Sequence, residues 1–277
     1  MRYFMKILKR VTIWAFCAVF CFFSACNVHP DAYTLIREAK AEVKSMKNCV
    51  VSSSRNLTFT SNGEQHSFQS KTDLIYTANP FTLKSILSSQ IDGTSAKSET
   101  YTVTEDGNLN FYCKTPSGWQ KTAAENLDSS PSAQIEILHL LNNSEDQEYI
   151  CDTTVGSQKV HKIKLKLKNE ALRSDVENIV TQSGMSGGSK TIVQTLLDSA
   201  PDIYGYCYVS VESGKPVRLE LDAADVLNQI FQNIDGSNVS IKVTKCIFCG
   251  DISKIGSAPA VILPEDAKSA SSVQAEG

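Results

Sequence analysis

Apart from one stretch near its start, the sequence lacks any uncharged apolar run of the about 18 residues that a membrane-crossing helix requires. It also lacks a basic excess: 27 Lys and Arg stand against 30 Asp and Glu. That balance argues against nucleic acid, whose phosphates demand clustered positive charge. No phosphate loop and no EF-hand calcium loop is present. The four histidines, His29, His66, His139 and His161, are scattered without metal-ligand spacing. No sequence repeat is evident. These absences leave no cofactor to expect and no nucleic-acid partner.

Two short patterns imitate catalytic motifs. Gly184-Met185-Ser186-Gly187-Gly188 matches G-x-S-x-G, but that nucleophile elbow needs a preceding strand and a histidine after the serine. Here a helical pattern precedes it and every histidine lies upstream, so a helix–helix loop is expected. Cys246-Ile247-Phe248-Cys249 has C-x-x-C spacing, yet it ends a strand pattern. Thioredoxin-type chemistry places such a pair at a helix N-terminus, where the dipole lowers the thiol pKa. With no second C-x-x-C to complete a zinc site, a local Cys246–Cys249 disulfide or two unrelated thiols is expected. The sequence therefore reads as a protein that is not an enzyme.

What is present is concentrated in the first 26 residues. Arg2, Lys6, Lys9 and Arg10 form a positive start, and Val11 to Phe23 is uncharged with one polar residue, Thr12. The run is shorter than the roughly 20 residues that span a bilayer, and the small residues Ser24 and Ala25 follow it, as at an export-signal cleavage site. Cys26 comes next. Phe23-Ser24-Ala25-Cys26 resembles the lipobox of bacterial lipoproteins, with Phe23 where that pattern prefers Leu. The resemblance implies cleavage after Ala25 and attachment of diacylglycerol and palmitate groups to Cys26. The expected organisation is a signal peptide over 1–25, a lipidated tether over 26–30, one domain over 31–266 and a disordered tail over 267–277. Losing the leader's four basic residues leaves 23 Lys and Arg against 30 Asp and Glu, a formal charge of −7. Attachment to the extracytoplasmic face of the cell membrane then falls to the lipid on Cys26.

Six cysteines remain beyond Cys26: Cys49, Cys113, Cys151, Cys207, Cys246 and Cys249. An even number permits three disulfides without fixing their pairing, and a chain of this size does not need them to hold a core.

Periodicity supplies the fold class. Leu35, Ala39, Val43 and Met46 recur at helical spacing after Asp31. Val50 to Thr60 is rich in β-branched residues, and Asn62-Gly63 turns it into a second strand ending near Thr77. Phe81 to Ile91 is a third extended run. Thr100–Thr104 and Leu109–Lys114 flank Glu105-Asp106-Gly107, a strong hairpin cue, and Gly118 opens a further strand. Ser132–Leu141 reads as a helix. Val160–Lys168 alternates Ile163, Leu165 and Leu167 with Lys162, Lys164, Lys166 and Lys168, one face buried and one solvated. Helices are expected over 171–182 and 189–199. In Ile203–Val211, Tyr204, Tyr206 and Tyr208 share one face and Ile203, Cys207 and Val209 the other, with no charge on either. Both faces are expected to be covered. A strand over 217–221, a helix from Ala223 to Phe231 and a strand from Val239 to about Phe248 complete the pattern. Strands joined by short turns, with few helices, specify α+β: a curved antiparallel sheet, or half-barrel, with helices covering the concave face.

This order of elements resembles uncharacterised Gram-positive surface lipoproteins of the LolA/LppX-like class. The resemblance is carried by the lipobox, by helix Ala32–Met46 leading into Val50-Val51-Ser52, and by the hairpin around Glu99-Thr100-Tyr101, Asp106-Gly107 and Tyr112. Trp119-Gln120-Lys121 and the ending Val261-Ile262-Leu263-Pro264-Glu265-Asp266-Ala267 also match. It implies an apolar cavity between sheet and helices that carries lipid or another hydrophobic ligand. Ile203, Tyr204, Tyr206, Tyr208 and Val209 are the candidate lining. The alternative is a structural or interaction lipoprotein of the envelope whose core is filled.

Overall fold

The computed structural model describes residues 30–123, 128–184, 189–232 and 240–272. The leader, Cys26 and the serine of the G-x-S-x-G pattern lie outside them. From Ala32 onward the chain is one unit with its own core.

Helix α1 (Ala32–Lys44) is followed by six strands in succession: β1 (Asn48–Ser61), β2 (Glu64–Ala78), β3 (Phe81–Ile91), β4 (Thr94–Glu105), β5 (Asn108–Thr115) and β6 (Gly118–Ala123). Each pairs antiparallel with the next. Three of the hairpins close on the same chemistry. Asn62-Gly63, Asp92-Gly93 and Asp106-Gly107 all hold positive φ, 52° and 88°, 46° and 86°, 50° and 81°. Two consecutive left-handed residues make a turn whose twist matches that of the strands, and Asn or Asp before Gly tolerates it best.

Two short helices follow, α2 (Pro131–Gln134) and α3 (Glu136–Asn142). The single helix expected over 132–141 is broken at Ile135, whose backbone is extended (φ −126°, ψ 109°) and whose side chain is buried. Strands β7 (Gln147–Val155) and β8 (Gln158–Leu167) form a hairpin. A 3-10 turn (Asn169–Leu172), α4 (Arg173–Gln182) and α5 (Ser189–Asp198) then lead to β9 (Ile203–Ser210) and β10 (Pro216–Asp222). Helix α6 (Ala224–Gln232) precedes β11 (Ile241–Ser253). Near the end, α7 (Glu265–Lys268) and the two-residue β12 (Ser271–Ser272) close the described chain.

All these strands belong to one open sheet in the order β12-β6-β5-β4-β3-β2-β1-β11-β10-β9-β8-β7. Every pairing is antiparallel except that of β12 with β6. The fold is α+β, a curved half-barrel of strands with helices on one side, as the pattern of short turns anticipated.

The inner face follows from strand parity, since alternate residues point to opposite sides. Leu57 and Phe59 of β1, Ile163, Leu165 and Leu167 of β8, and Val243, Cys246 and Phe248 of β11 are buried together. The helices contribute one stripe each: Ile36, Ala39 and Val43 from α1, Val176, Ile179 and Val180 from α4, Leu227, Ile230 and Phe231 from α6. The stripe of α1 is centred on Ile36, with the expected Leu35 at its margin. The outer face has a second, smaller core. Tyr101, Val103, Tyr112 and Trp119 pack there beneath Leu263 and Ala267 of the C-terminal segment. Within the segment 267–277 expected to be a disordered tail, Ala267 is fully buried, and Ser271-Ser272 pair with Gln120-Lys121.

A partly uncovered inner face and a buried arginine

Helical cover is not uniform along the inner face. It is tight over β1 and β8–β11, where Leu57, Ile163, Leu165 and Ile203 are wholly buried. Moving outward through β2 to β5 the same face opens. Leu83 is half-buried, and Leu87, Ile91 and Phe111 are 37%, 43% and 37% exposed. The register places them on the covered side of the sheet, because Tyr76 pairs with Leu83, Leu83 with Thr102, and Thr102 with Phe111. Tyr76 itself belongs to the inner core. Phe68 pairs with Ile91 at one end of this area, and α4 reaches over them with Asn178 and Gln182, leaving a space of about 10 Å³. At the other end the Tyr76 hydroxyl donates to the Ser129 carbonyl just before α2 (3.0 Å).

Arg55 sits at the inner edge of the open area. It projects from β1 to the covered side, is 6% exposed, and its guanidinium lies 5.1 Å over the Phe248 ring. One guanidinium nitrogen donates to Asp175 Oδ2 on α4, another to Glu136 Oε1 at the start of α3. The two carboxylates differ in environment: the Asp175 side chain is fully buried, whereas that of Glu136 is half exposed. Burial works against the charge on Arg55, but Asp175 and Glu136 outweigh it and hold the guanidinium above its ordinary pKa. Burial also pushes the Asp175 carboxyl up, and its Oδ1 has no hydrogen-bond partner. Nothing in the sequence marked Arg55, which follows the serine run Ser52-Ser53-Ser54.

The five residues expected to line one cavity are divided by the sheet. Ile203 and Val209 point into the inner core and are fully buried. Tyr204, Tyr206 and Tyr208 point outward, where no described helix covers them. Lysine stems do so instead: Lys162 Nζ lies 4.0 Å from the Tyr206 ring centre and Lys164 Nζ 4.1 Å from that of Tyr204. An ammonium over an aromatic face is attracted by the ring quadrupole while its methylenes shield the ring from water. Tyr208 donates to Glu220 (2.6 Å), which also accepts from Arg218, itself paired with Asp251. Residues that alternate along a strand cannot line the same cavity, which corrects that expectation.

The thiols are likewise separated. A spacing of three on a strand puts Cys246 on the inner face and Cys249 on the outer, so the expected local disulfide is not formed. All six described cysteines are free. Burial pushes Cys49 and Cys207 up to about 12, and raises Cys246 and Cys249 too, so none of these four is a thiolate at neutral pH. Among the described residues no three His, Cys, Asp or Glu side chains converge to hold a metal ion. No described helix is long and apolar enough to cross a membrane.

Other depressions are polar or peripheral. Ser54, Asn56, Gln69, Lys71, Ser88 and Lys97 help line a shallow groove of about 540 Å³ on the outer face of β1–β4. A second, of about 360 Å³, runs along α1 beside Ile36, Lys40 and Gln147.

An open antiparallel sheet with helices on one side and a partly bare inner face defines the class. Residues 31–200 match the family of unknown function DUF6612, more than half of the chain, and the protein belongs to that family. No curated protein sequence matches it. Among solved structures, it is similar to LprF from Mycobacterium bovis, with 11% identity and a TM-score of 0.48 over 86% of this chain and 98% of that one. It is also similar to the lipoprotein LppX from Mycobacterium tuberculosis, with 12% identity and a TM-score of 0.44 over 85% and 100%. A lipoprotein-sorting protein domain from Vibrio parahaemolyticus, described as a putative outer membrane one, aligns at 7% identity and a TM-score of 0.23 over 84% and 94%.

Proposed function

We propose that the protein is a lipid-anchored envelope lipoprotein of the LolA/LppX-like class that holds lipid or another hydrophobic ligand against the inner face of its sheet. It acts as a binding protein rather than an enzyme. The observation that carries this reading is the exposure of Leu87, Ile91 and Phe111 on the face that helices otherwise cover. Large apolar side chains left bare on a concave face are where an apolar ligand gains most by excluding water. Cys26, carrying diacylglycerol, would keep the protein at the outer surface of the membrane.

Residues 27–277 contain the whole unit with its own core, so they can be studied without the anchor. Native mass spectrometry of that domain, purified from a lipid-containing host, should show co-purifying lipid, and Leu87→Asp should remove it. A lipid-free wild-type domain that also takes up no added lipid would refute the reading. The anchor is tested separately by acyl labelling, which Cys26→Ala should abolish.

A second reading, a structural or interaction lipoprotein, draws on the continuous filled core over β1 and β8–β11. It requires that the bare inner face meet a protein partner, and the same experiment distinguishes the two.

A further inference from the structure

We infer that the ligand is an amphiphile with a carboxylate head, and that this head takes the place of Glu136 on Arg55 while its chain lies along the bare inner face. The inference rests on the lipid-binding reading above and names the ligand class for that same site.

Three placements carry it. First, Arg55 stands where the covered and uncovered parts of the inner face meet. Its register neighbours along the face are Ser70 on β2 and Ser89 on β3, both only partly buried, and Leu87 follows one row away. Strands lie about 4.8 Å apart, so Leu87 is on the order of 10 Å from the β1 backbone, within reach of a short alkyl segment. Second, the two carboxylates on Arg55 are not equivalent. Asp175, on the inward side of α4, is fully buried, but Glu136 reaches the guanidinium with half its side chain in solvent. The side of Arg55 that Glu136 occupies is therefore one a carboxylate can reach from water. Third, the opening has ends. Ser129, just before α2, sits at Tyr76, and Asn178 and Gln182 of α4 sit at Phe68 and Ile91.

Charge favours exchange over simple addition. One guanidinium faces two carboxylates, so a third anion would be repelled, whereas replacing Glu136 leaves the count unchanged and frees Glu136 to full hydration. A neutral head such as an ester or alcohol has no charge to offer Arg55 and cannot displace Glu136. A planar guanidinium also matches a carboxylate better than it matches a hydroxyl.

The test uses residues 27–277 with hexadecanoate and its methyl ester, titrated below their aggregation concentrations and followed by intrinsic fluorescence and calorimetry. Hexadecanoate should bind about ten-fold or more tightly than the ester. Glu136→Gln, at a half-exposed position, should tighten hexadecanoate several-fold and leave the ester unchanged. Leu87→Asp should weaken both. Equal binding of acid and ester, unmoved by Glu136→Gln, would overturn the carboxylate assignment while leaving the lipid reading intact. Binding of neither would remove both. Unchanged far-ultraviolet circular dichroism and unfolding temperature of Glu136→Gln control for a folding defect.

Discussion

Asp175→Ala isolates the energetics of the buried ion pair. The substitution leaves Arg55, 6% exposed, with Glu136 as its remaining carboxylate. Removing one member of a buried pair typically costs about 3–5 kcal/mol, because the other charge stays desolvated without compensation. Glu136 and the Phe248 ring still partner the guanidinium, which places the expected loss near the lower end, about 3 kcal/mol. For a domain of this size that is a fall in Tm of about 6–12 °C. Urea unfolding of residues 27–277, followed by circular dichroism, gives the difference directly, provided the slope with denaturant is unchanged. The paired replacement Arg55→Met with Asp175→Leu removes both charges and fills the space with apolar atoms. It should recover most of the loss, since a buried pair is often no better than well-packed apolar residues. A single-variant loss under about 1 kcal/mol, or a double variant as unstable as the single, would refute this account of Arg55 as a desolvated charge held by its partners.

Gly205→Ala should destabilise the domain by about 1–3 kcal/mol in the same urea assay. A Cβ there would lie 2.9 Å from the Glu220 carbonyl oxygen on β10 and 3.0 Å from Leu167 Cδ1 on β8. The Asp92 carboxyl is held below its ordinary range, first by the Ser67 backbone N–H and then by His66. A depressed carboxyl stabilises the fold above its unfolded pKa of about 3.9 and loses that contribution as pH falls through the folded value. The stability advantage of wild type over Asp92→Asn should therefore hold at pH 6 and disappear in strong acid, as read from the pH dependence of the urea midpoint.

Sequence pattern was legible wherever one physical cause dominated. Asn62-Gly63 and Asp106-Gly107 announced their hairpins because few other dipeptides accept two positive φ angles. The lysine and leucine alternation of β8 displayed its two faces because one is solvated. Strand β7 gave no such signal. Gln147, Glu148, Asp152, Thr153 and Thr154 belong to an edge strand with little burial on either side, and a bulge at Ile150 breaks its period. The β3–β4 hairpin at Asp92-Gly93 was hidden for a related reason, since Thr94 to Lys97 is exposed throughout and has no large apolar residue to mark an inward face.

The candidate site was harder to read than the fold. The tyrosines of β9 look like a pocket lining in one dimension, and only the pairing Lys162–Tyr208 and Lys164–Tyr206 shows that lysine methylenes cover them. Arg55 owes its burial to residues 81 and 120 positions away, Glu136 and Asp175. No local pattern carries that information. Leu87 and Phe111 are ordinary strand residues until the extent of the helical layer is known.

The strand order also sets a schedule. Strands β1–β6 form a meander of neighbours in sequence, and β7–β10 a second group linked by short segments and helices. The two groups meet only through β11, which pairs with β1 across the length of the chain, Val50 against Ser253 and Ser61 against Ile241. During synthesis from the N-terminus, β1 presents a long unpaired edge until some 180 further residues have emerged. Non-local pairing of this kind is slow because loop closure precedes any gain. The protein's period of greatest exposure to strand-swapping and aggregation thus ends with the arrival of one late strand, and a truncation before Ile241 would leave that edge open permanently.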